Sequence, residues 1–276
     1  MKFGDPGFGG PRRGGLERGG LERGGLEGGD PDIAVIDVVI PARNEEALVG
    51  ACLASVVEAA RFVRVVRGDL APSIRITLVA DSCTDATRAV SERWPGVRVE
   101  EIAVACVGAA RAHGVRVAAA DSPGHGRHWI ANTDADSVVP RSWLAHQLVL
   151  AEAGFELVVG TVRPTMSELT PDQRELWLGA HVRGKPNGHV HGANLGFRLD
   201  AYLAAGGYLD QSEHEDNDLV DRMVARGVAV VASDEAEVVT SGRRYGRTPG
   251  GYAGYLRALD HPVAAVITGA DRARDR

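Results

Sequence analysis

The sequence predicts an α/β fold: a doubly wound, mostly parallel sheet with helices on both faces, in a single domain. Two observations predict it. From residue 31 onward, short β-branched runs alternate with stretches of helical periodicity, the order that builds parallel sheets through helical crossovers. Polar clusters then fall at three successive strand ends, Arg43-Asn44-Glu45, Asp81-Ser82 and Asp134-Ala135-Asp136. Ligands of open α/β sheets bind beyond the carboxyl ends of the strands, so one shared crevice explains three such clusters better than three unrelated loops.

Each element has its own warrant. Ile33 to Ile40 is nearly continuous in apolar residues, as a buried parallel strand is, and Pro41 is expected to end it. Leu48, Cys52, Val56 and Ala60 share one face of a helix expected over about 45–64. Ile74–Val79 is a second strand, and Thr84 or Ser82 is expected to cap the helix through Val90. A third strand covers Val97–Val104, a helix Val107–Ala120, and a fourth strand His128–Asn132. Leu144–Leu150 is helical and Leu157–Val162 is strand. Pro171 after Thr170 starts a helix to about Val182, with proline where no N–H is missed. Gly192–Arg198 is a glycine-loosened strand or loop, and a helix follows Glu213–Asp218 with Leu219, Met223 and Val224 on one face.

Composition narrows the class. Of 276 residues, 44% are hydrophobic and 25% charged, which is globular, and the net charge of −6 gives no reason to expect a nucleic-acid partner. Cys52, Cys83 and Cys106 form no metal or redox motif and suit a reducing, cytoplasmic setting, with the membrane surface as the alternative. No apolar run is long enough for a transmembrane segment. Residues 1–30 carry three Arg-Gly-Gly-Leu-Glu repeats between Arg13 and Glu27. That period fits neither helix nor strand and predicts a disordered tail. A glutamate in each repeat offsets the arginine's attraction for phosphate. The expected divisions are this tail, a nucleotide-binding half over 31–140, an acceptor and catalytic half over 141–258, and a C-terminal tail over 259–276.

Chemistry concentrates at Asp134-Ala135-Asp136, where the apolar run Trp129-Ile130-Ala131 stops. Two carboxylates one residue apart at a strand end aim hard oxygen ligands at one spot. A cation such as Mg²⁺ wants few of them and keeps positions for phosphates. The alternative is a solvated turn. Glu215 and Asp216 lie in another acidic segment, which a helix N-terminus also favours for its dipole alone.

Taken together, Pro41-Ala42-Arg43-Asn44-Glu45-Glu46, Ala80-Asp81-Ser82-Cys83-Thr84-Asp85, Gly108-Ala109-Ala110-Arg111, Asp134-Ala135-Asp136 and Glu215-Asp216 resemble family 2 glycosyltransferases of the GT-A fold, over roughly residues 33–245. The resemblance implies a metal-dependent, usually inverting transfer of a sugar from a nucleotide-diphosphate sugar, of UDP or GDP type, to a hydroxyl acceptor. It implies that Pro41, Arg43, Glu45, Asp81, Arg111 and Asp134 serve the donor nucleotide, that Asp136 holds Mg²⁺ or Mn²⁺, and that Asp216 is the catalytic base. The chemistry asks for these types: a cation offsets charge on the departing diphosphate, and a weakly nucleophilic hydroxyl needs a carboxylate to take its proton.

The sequence departs from the family in two places. Ala80 stands where a second acid is usual beside Asp81, which leaves the base open. The Gln-x-x-Arg-Trp motif of processive synthases is missing, and Ser241–Gly251 stands in its region, so a single transfer is expected. Arg243 and Arg244 there can pair with the diphosphate or form a solvated basic loop. His191, Asn194 and Glu215 are further candidate contacts to diphosphate or acceptor. On a strand, His189 and His191 would share a face, as ligands or as hydrogen-bonded pocket residues. Trp177 is expected in the core. A nucleotidyltransferase or a catalytically inactive sugar-nucleotide-binding module are the rival readings. The first lacks its glycine- and lysine-rich phosphate loop. The second is disfavoured because Asp136 and Asp216 are both present.

Overall fold

The computed structural model describes residues 33–121, 127–182, 184–186, 188–246 and 250–259. The repeat tail, and the C-terminal tail from residue 260, lie outside them.

The strands are β1 (Val35–Ala42), β2 (Ser73–Asp81), β3 (Val97–Ile102), β4 (His128–Asn132), β5 (Ser137–Val138), β6 (Leu157–Pro164), β7 (Leu195–Arg198) and β8 (Val230–Thr240). They form one sheet in the order β3-β2-β1-β4-β7-β6-β8-β5. The block from β3 to β4 is parallel throughout. β7 then runs antiparallel between β4 and β6, while β6 and β8 are parallel. The sheet is therefore mixed but mostly parallel.

Helices cover both faces. On one side α1 (Val49–Arg67) and α4 (Trp143–Glu152) close a core of Ile36, Val38, Ile40, Leu53, Leu78 and Trp129. On the other, α3 (Val107–Ala120), α6 (Leu199–Ala204) and α7 (Glu215–Ala225) close around Val39, Ile130, Phe197 and Leu219. α1 buries Val49, Cys52, Val56, Ala59, Ala60 and Val63, the spacing that puts one stripe on a sheet. α2 (Thr87–Ser91), α5 (Pro171–Ala180) and α8 (Tyr252–Ala258) complete the described helices.

Several local expectations need correction. Pro41 does not end β1, which runs on to Ala42. Val39 points its carbonyl toward the β4 side, where it accepts the Thr133 N–H. Pro41, two residues on, faces the same way past the end of β4, so its missing N–H costs no ladder bond. α1 starts at Val49 rather than near Glu45, because Asn44 takes a left-handed φ of 54° and a turn intervenes. Neither Ser82 nor Thr84 caps α2; the Asp85 carboxylate accepts the Thr87 N–H at 2.9 Å. His189 and His191 lie in irregular chain, not on a strand. The helix start at Pro171 holds, with Thr170 and Gln173 forming a reciprocal capping box. β5, β8, α6 and α8 have no counterpart in the sequence reading. In β8 Ser233 and Asp234 interrupt the alternation, which resumes with Glu235 and Glu237 between buried Ala236 and Val238, and the pairing with β6 shifts register between Gly160 and Val162.

Gly196 shows why β7 is glycine-loosened. A Cβ there would lie 2.3 Å from Gln147 Oε1 and 2.9 Å from the Trp129 ring. That ring donates to the same Gln147 oxygen at 2.9 Å. Only a residue without a side chain lets the indole cross this strand. At the amino-terminal end of the sheet, buried Asp37 is paired with His128 and with Arg75, whose Nε donates at 2.7 Å. A carboxylate inside an apolar strand is tolerated there because it is fully partnered.

Candidate active site

The carboxyl end of the parallel block is built by loops that tie one another down. Past β1 and β2, Asn44 Oδ1 accepts the Thr84 N–H at 2.7 Å, Asp85 accepts the Glu46 N–H at 3.0 Å, and Thr87 Oγ1 accepts the Glu45 N–H at 2.6 Å. These contacts turn buried Glu45 toward the end of β4. Asp81 is buried too, and backbone fills its oxygens: Val104 and Ala105 donate to Oδ1 at 2.9 and 2.7 Å, and Cys106 to Oδ2 at 2.7 Å. Asp81 thus shapes the wall of the crevice by holding Ala105 at a left-handed φ of 58°. Arg43 is exposed, with Nη1 3.5 Å from the Ala105 carbonyl, and Pro41 is half-buried at the end of β1.

Two arginines organise the acidic groups. Arg243, just past β8, grips Glu45 with both terminal nitrogens, at 2.9 and 2.8 Å, and pairs with Asp136 at 2.7 Å. Arg111, on α3, is 2% exposed and joins Asp134 at 2.5 Å to Glu215 at 2.9 Å. Expected at the nucleotide or the phosphates, Arg111 has its Nε and Nη2 committed to these two carboxylates, while Nη1 is buried with no partner among the described residues. A Cβ at Gly192 would sit 2.3 Å from Arg111 Nη2, so glycine is what lets the guanidinium through. The Arg244 carbonyl accepts from Arg257 at 3.2 Å.

Asp216 stands in the first turn of α7, entered through His214 at a left-handed φ of 64°. The Gly192 N–H donates to its Oδ2 at 2.7 Å, and the Asn217 N–H to Oδ1 at 2.8 Å. The carboxylate is therefore held in place by backbone, and its neighbour Glu215 is joined through Arg111 to Asp134.

Asn194 does not present its side chain to a ligand. It accepts from Trp143 Nε1 at 2.8 Å and donates to the carbonyls of Thr161 and Ala236, both at 2.9 Å. At 3% exposure it is a spacer between β7, β6 and β8. Trp177 is in the core as expected, stacked on His181 at 3.8 Å and donating to Tyr252 at 3.1 Å.

Burial and the neighbouring Asp134 charge push the Asp136 carboxyl up to about 6, with Arg243 acting the other way. Burial likewise raises Glu215 against the pull of Arg111. A pair of carboxylates held this way is a poor place for two bare negative charges and a good one for a cation. Among the described residues no group of three or more metal-ligating side chains comes together. Two carboxylates fit Mg²⁺ or Mn²⁺ nonetheless, because phosphate oxygens and water complete such a shell. Ser137 and Thr240 add hydroxyls to Asp136 at 3.3 and 3.4 Å, and to each other at 2.9 Å. No local pattern marks Thr240, which arrives on the unforeseen β8. Nor does any pattern mark Tyr208, whose buried hydroxyl, near Arg111 and Glu215, has no partner among the described residues.

His191 edges the Tyr252 ring at 5.6 Å, and its Nε2 is sealed off with no partner among the described residues, although part of the residue remains exposed. Burial lowers its pKa from 6.5 to about 3, so the folded ring stays neutral. Unfolded chains take up that proton near 6.5 and the folded one does not. Stability is thus complete above 6.5 and falls as pH drops from there toward 3, by at most roughly 1.4 kcal/mol per pH unit. Urea unfolding at pH 7, 6 and 5 should show a steeper loss in the wild type than in His191→Phe. Equal slopes would sink the assignment.

A family model described as Glycosyl transferase family 2 matches residues 37–203, more than half of the chain. No curated protein matches by sequence. Among solved structures, TarS 1-349 of S. aureus superposes with a TM-score of 0.56 at 12% identity, over 76% of this chain and 61% of that one. The mannosyltransferase PcManGT of Pyrobaculum calidifontis, in complex with GDP-Man and Mn²⁺, gives 0.54 at 20% identity, over 85% and 63%. Glucosyl-3-phosphoglycerate synthase of M. tuberculosis gives 0.50 at 18% identity, over 85% and 80%. The chain thus spans less than two thirds of the first two. These likenesses are of fold, and the fold is GT-A. No helix among the described residues is long and apolar enough to cross a membrane.

Proposed function

Because this chain belongs to glycosyl transferase family 2, we propose that it moves a sugar from a nucleotide-diphosphate sugar to a hydroxyl acceptor, with inversion and in a single, non-processive transfer. The observation that supports this reading is the Asp134–Arg111–Glu215 bridge, which ties the Asp134 pair to the acidic segment that carries Asp216. In-line displacement needs the acceptor's base to come from a different segment than the carboxylates at the leaving group, and these two segments meet that need.

Asp216 accepts the acceptor hydroxyl's proton as that oxygen attacks the sugar's anomeric carbon and the bond to the diphosphate breaks. The Gly192 N–H steadies this carboxylate by holding one oxygen at 2.7 Å. Asp136, with Asp134 beside it, would hold one Mg²⁺ or Mn²⁺, which when bound offsets charge on the diphosphate. Glu45, Arg43, Pro41 and the wall shaped by Asp81 form the nucleotide side. The donor half is residues 31–140 and the acceptor half 141–258. Arg111 works as a positioning residue, keeping Asp134 and Glu215 at a fixed separation. Asn194 has no part in contacting substrate. PcManGT was solved with GDP-Man and Mn²⁺, and the synthase of M. tuberculosis with Mg²⁺ and UDP; both are consistent with a donor of either base.

The test is thermal-shift binding of UDP, GDP and their sugar conjugates with and without Mn²⁺. A rise in melting temperature for one nucleotide, dependent on metal, is expected and names the base. A nucleoside triphosphate preferred over every diphosphate would favour the nucleotidyltransferase. Binding without slow release of nucleoside diphosphate into water would favour an inactive binding module.

A further inference from the structure

Arg243 stands in the place a cation on Asp136 would need. Its guanidinium lies 2.7 Å from Asp136 Oδ2 and grips Glu45 through two further contacts. A second positive charge on that oxygen would sit beside the first, at a repulsion that partly buried surroundings do not screen well. The backbone beneath Arg243 is pinned. Ser241 N–H donates to the Asp136 carbonyl at 3.2 Å, and Gly242 N–H to Glu168 at 2.7 Å. The side chain can therefore swing while its Cα stays put. It is 32% exposed, on the open side of the crevice, whereas Asp136 is 13% exposed. An arginine fork matches phosphate oxygens as well as it matches a carboxylate.

We propose that Arg243 guards the Asp136 carboxylate in the free protein and hands its guanidinium to the donor's diphosphate on binding, so that Asp136 is released to a divalent cation only together with the nucleotide. The inference rests on the transfer reading above. It gives Arg243 two roles of opposite sign: against metal alone, and for the metal–nucleotide complex.

Binding of Mn²⁺ by itself, followed by electron paramagnetic resonance of the free ion, separates these roles without any turnover. Arg243→Gln should bind Mn²⁺ alone about 10–100-fold more tightly than the wild type, the equivalent of a charge-assisted hydrogen bond removed from competition. In the presence of the preferred nucleoside diphosphate the same variant should bind more weakly than the wild type. Arg243→Lys keeps the charge and should stay near wild type for Mn²⁺ alone. Circular dichroism melts check that each variant is folded. Unchanged or weaker Mn²⁺ affinity in folded Arg243→Gln, with the nucleotide complex still forming in the wild type, overturns the guard role alone. Failure of the wild type to bind any nucleoside diphosphate with Mn²⁺ overturns the transfer reading and this inference with it.

Discussion

Asp216→Asn is expected to lower turnover by about 10²–10⁴-fold, the usual worth of general-base catalysis, while donor affinity stays near wild type. Asparagine keeps the shape and an oxygen for the Gly192 N–H, which now holds Asp216 Oδ2 at 2.7 Å. What it loses is the ability to take a proton from the attacking hydroxyl. Water attacks by the same route, so release of nucleoside diphosphate from the donor in the absence of any acceptor reports the effect. Donor binding is read separately by thermal shift. An unchanged release rate would remove Asp216 from the role of base. A parallel loss of donor binding would make it a donor contact instead.

The second large effect is expected in stability. Arg111→Met should destabilise the fold by about 3–5 kcal/mol, because removing one partner of a buried ion pair leaves the other charge uncompensated. For a chain of this size that corresponds to a fall in melting temperature on the order of 10 °C. The two carboxylates do not suffer equally. The side chain of Asp134 is 36% exposed and water can relieve it, whereas that of Glu215 is 6% exposed and has no such relief. Glu215→Gln added to Arg111→Met should therefore restore part of the loss, and Asp134→Asn should restore less. A single variant within about 1 kcal/mol of wild type would mean the bridge is not the strut described.

Much of the framework was legible in the chain. α3 and β4 fall on the residues their patterns predict, Val107–Ala120 and His128–Asn132. β4 is a short run buried at every position, and α3 buries one face that includes Gly108, Arg111 and Gly114. The errors sit where a local signal had a tertiary competitor. Pro41 stays in β1 because its neighbour β4 has already stopped. Asn194 reads as a ligand contact beside glycine, yet three partners from α4, β6 and the residues of β8 consume its amide. β8 went unseen because its acids mask a half-buried strand.

By itself the sequence determined most of the succession of strands and helices, though not β5, β8, α6 or α8, together with the strand ends at which acidic groups emerge and the set of residue types a sugar-nucleotide site requires. These are local properties, since periodicity and turn chemistry depend on neighbours a few residues away. Only the tertiary structure decided which charges meet. Arg243 reaches Glu45 across 198 positions and Arg111 reaches Glu215 across 104. Such pairings follow from strand order, above all from β7 entering antiparallel between β4 and β6. No local pattern encodes them, because an arginine on a loop is equally compatible with water, a carboxylate or a phosphate until the sheet places one within reach.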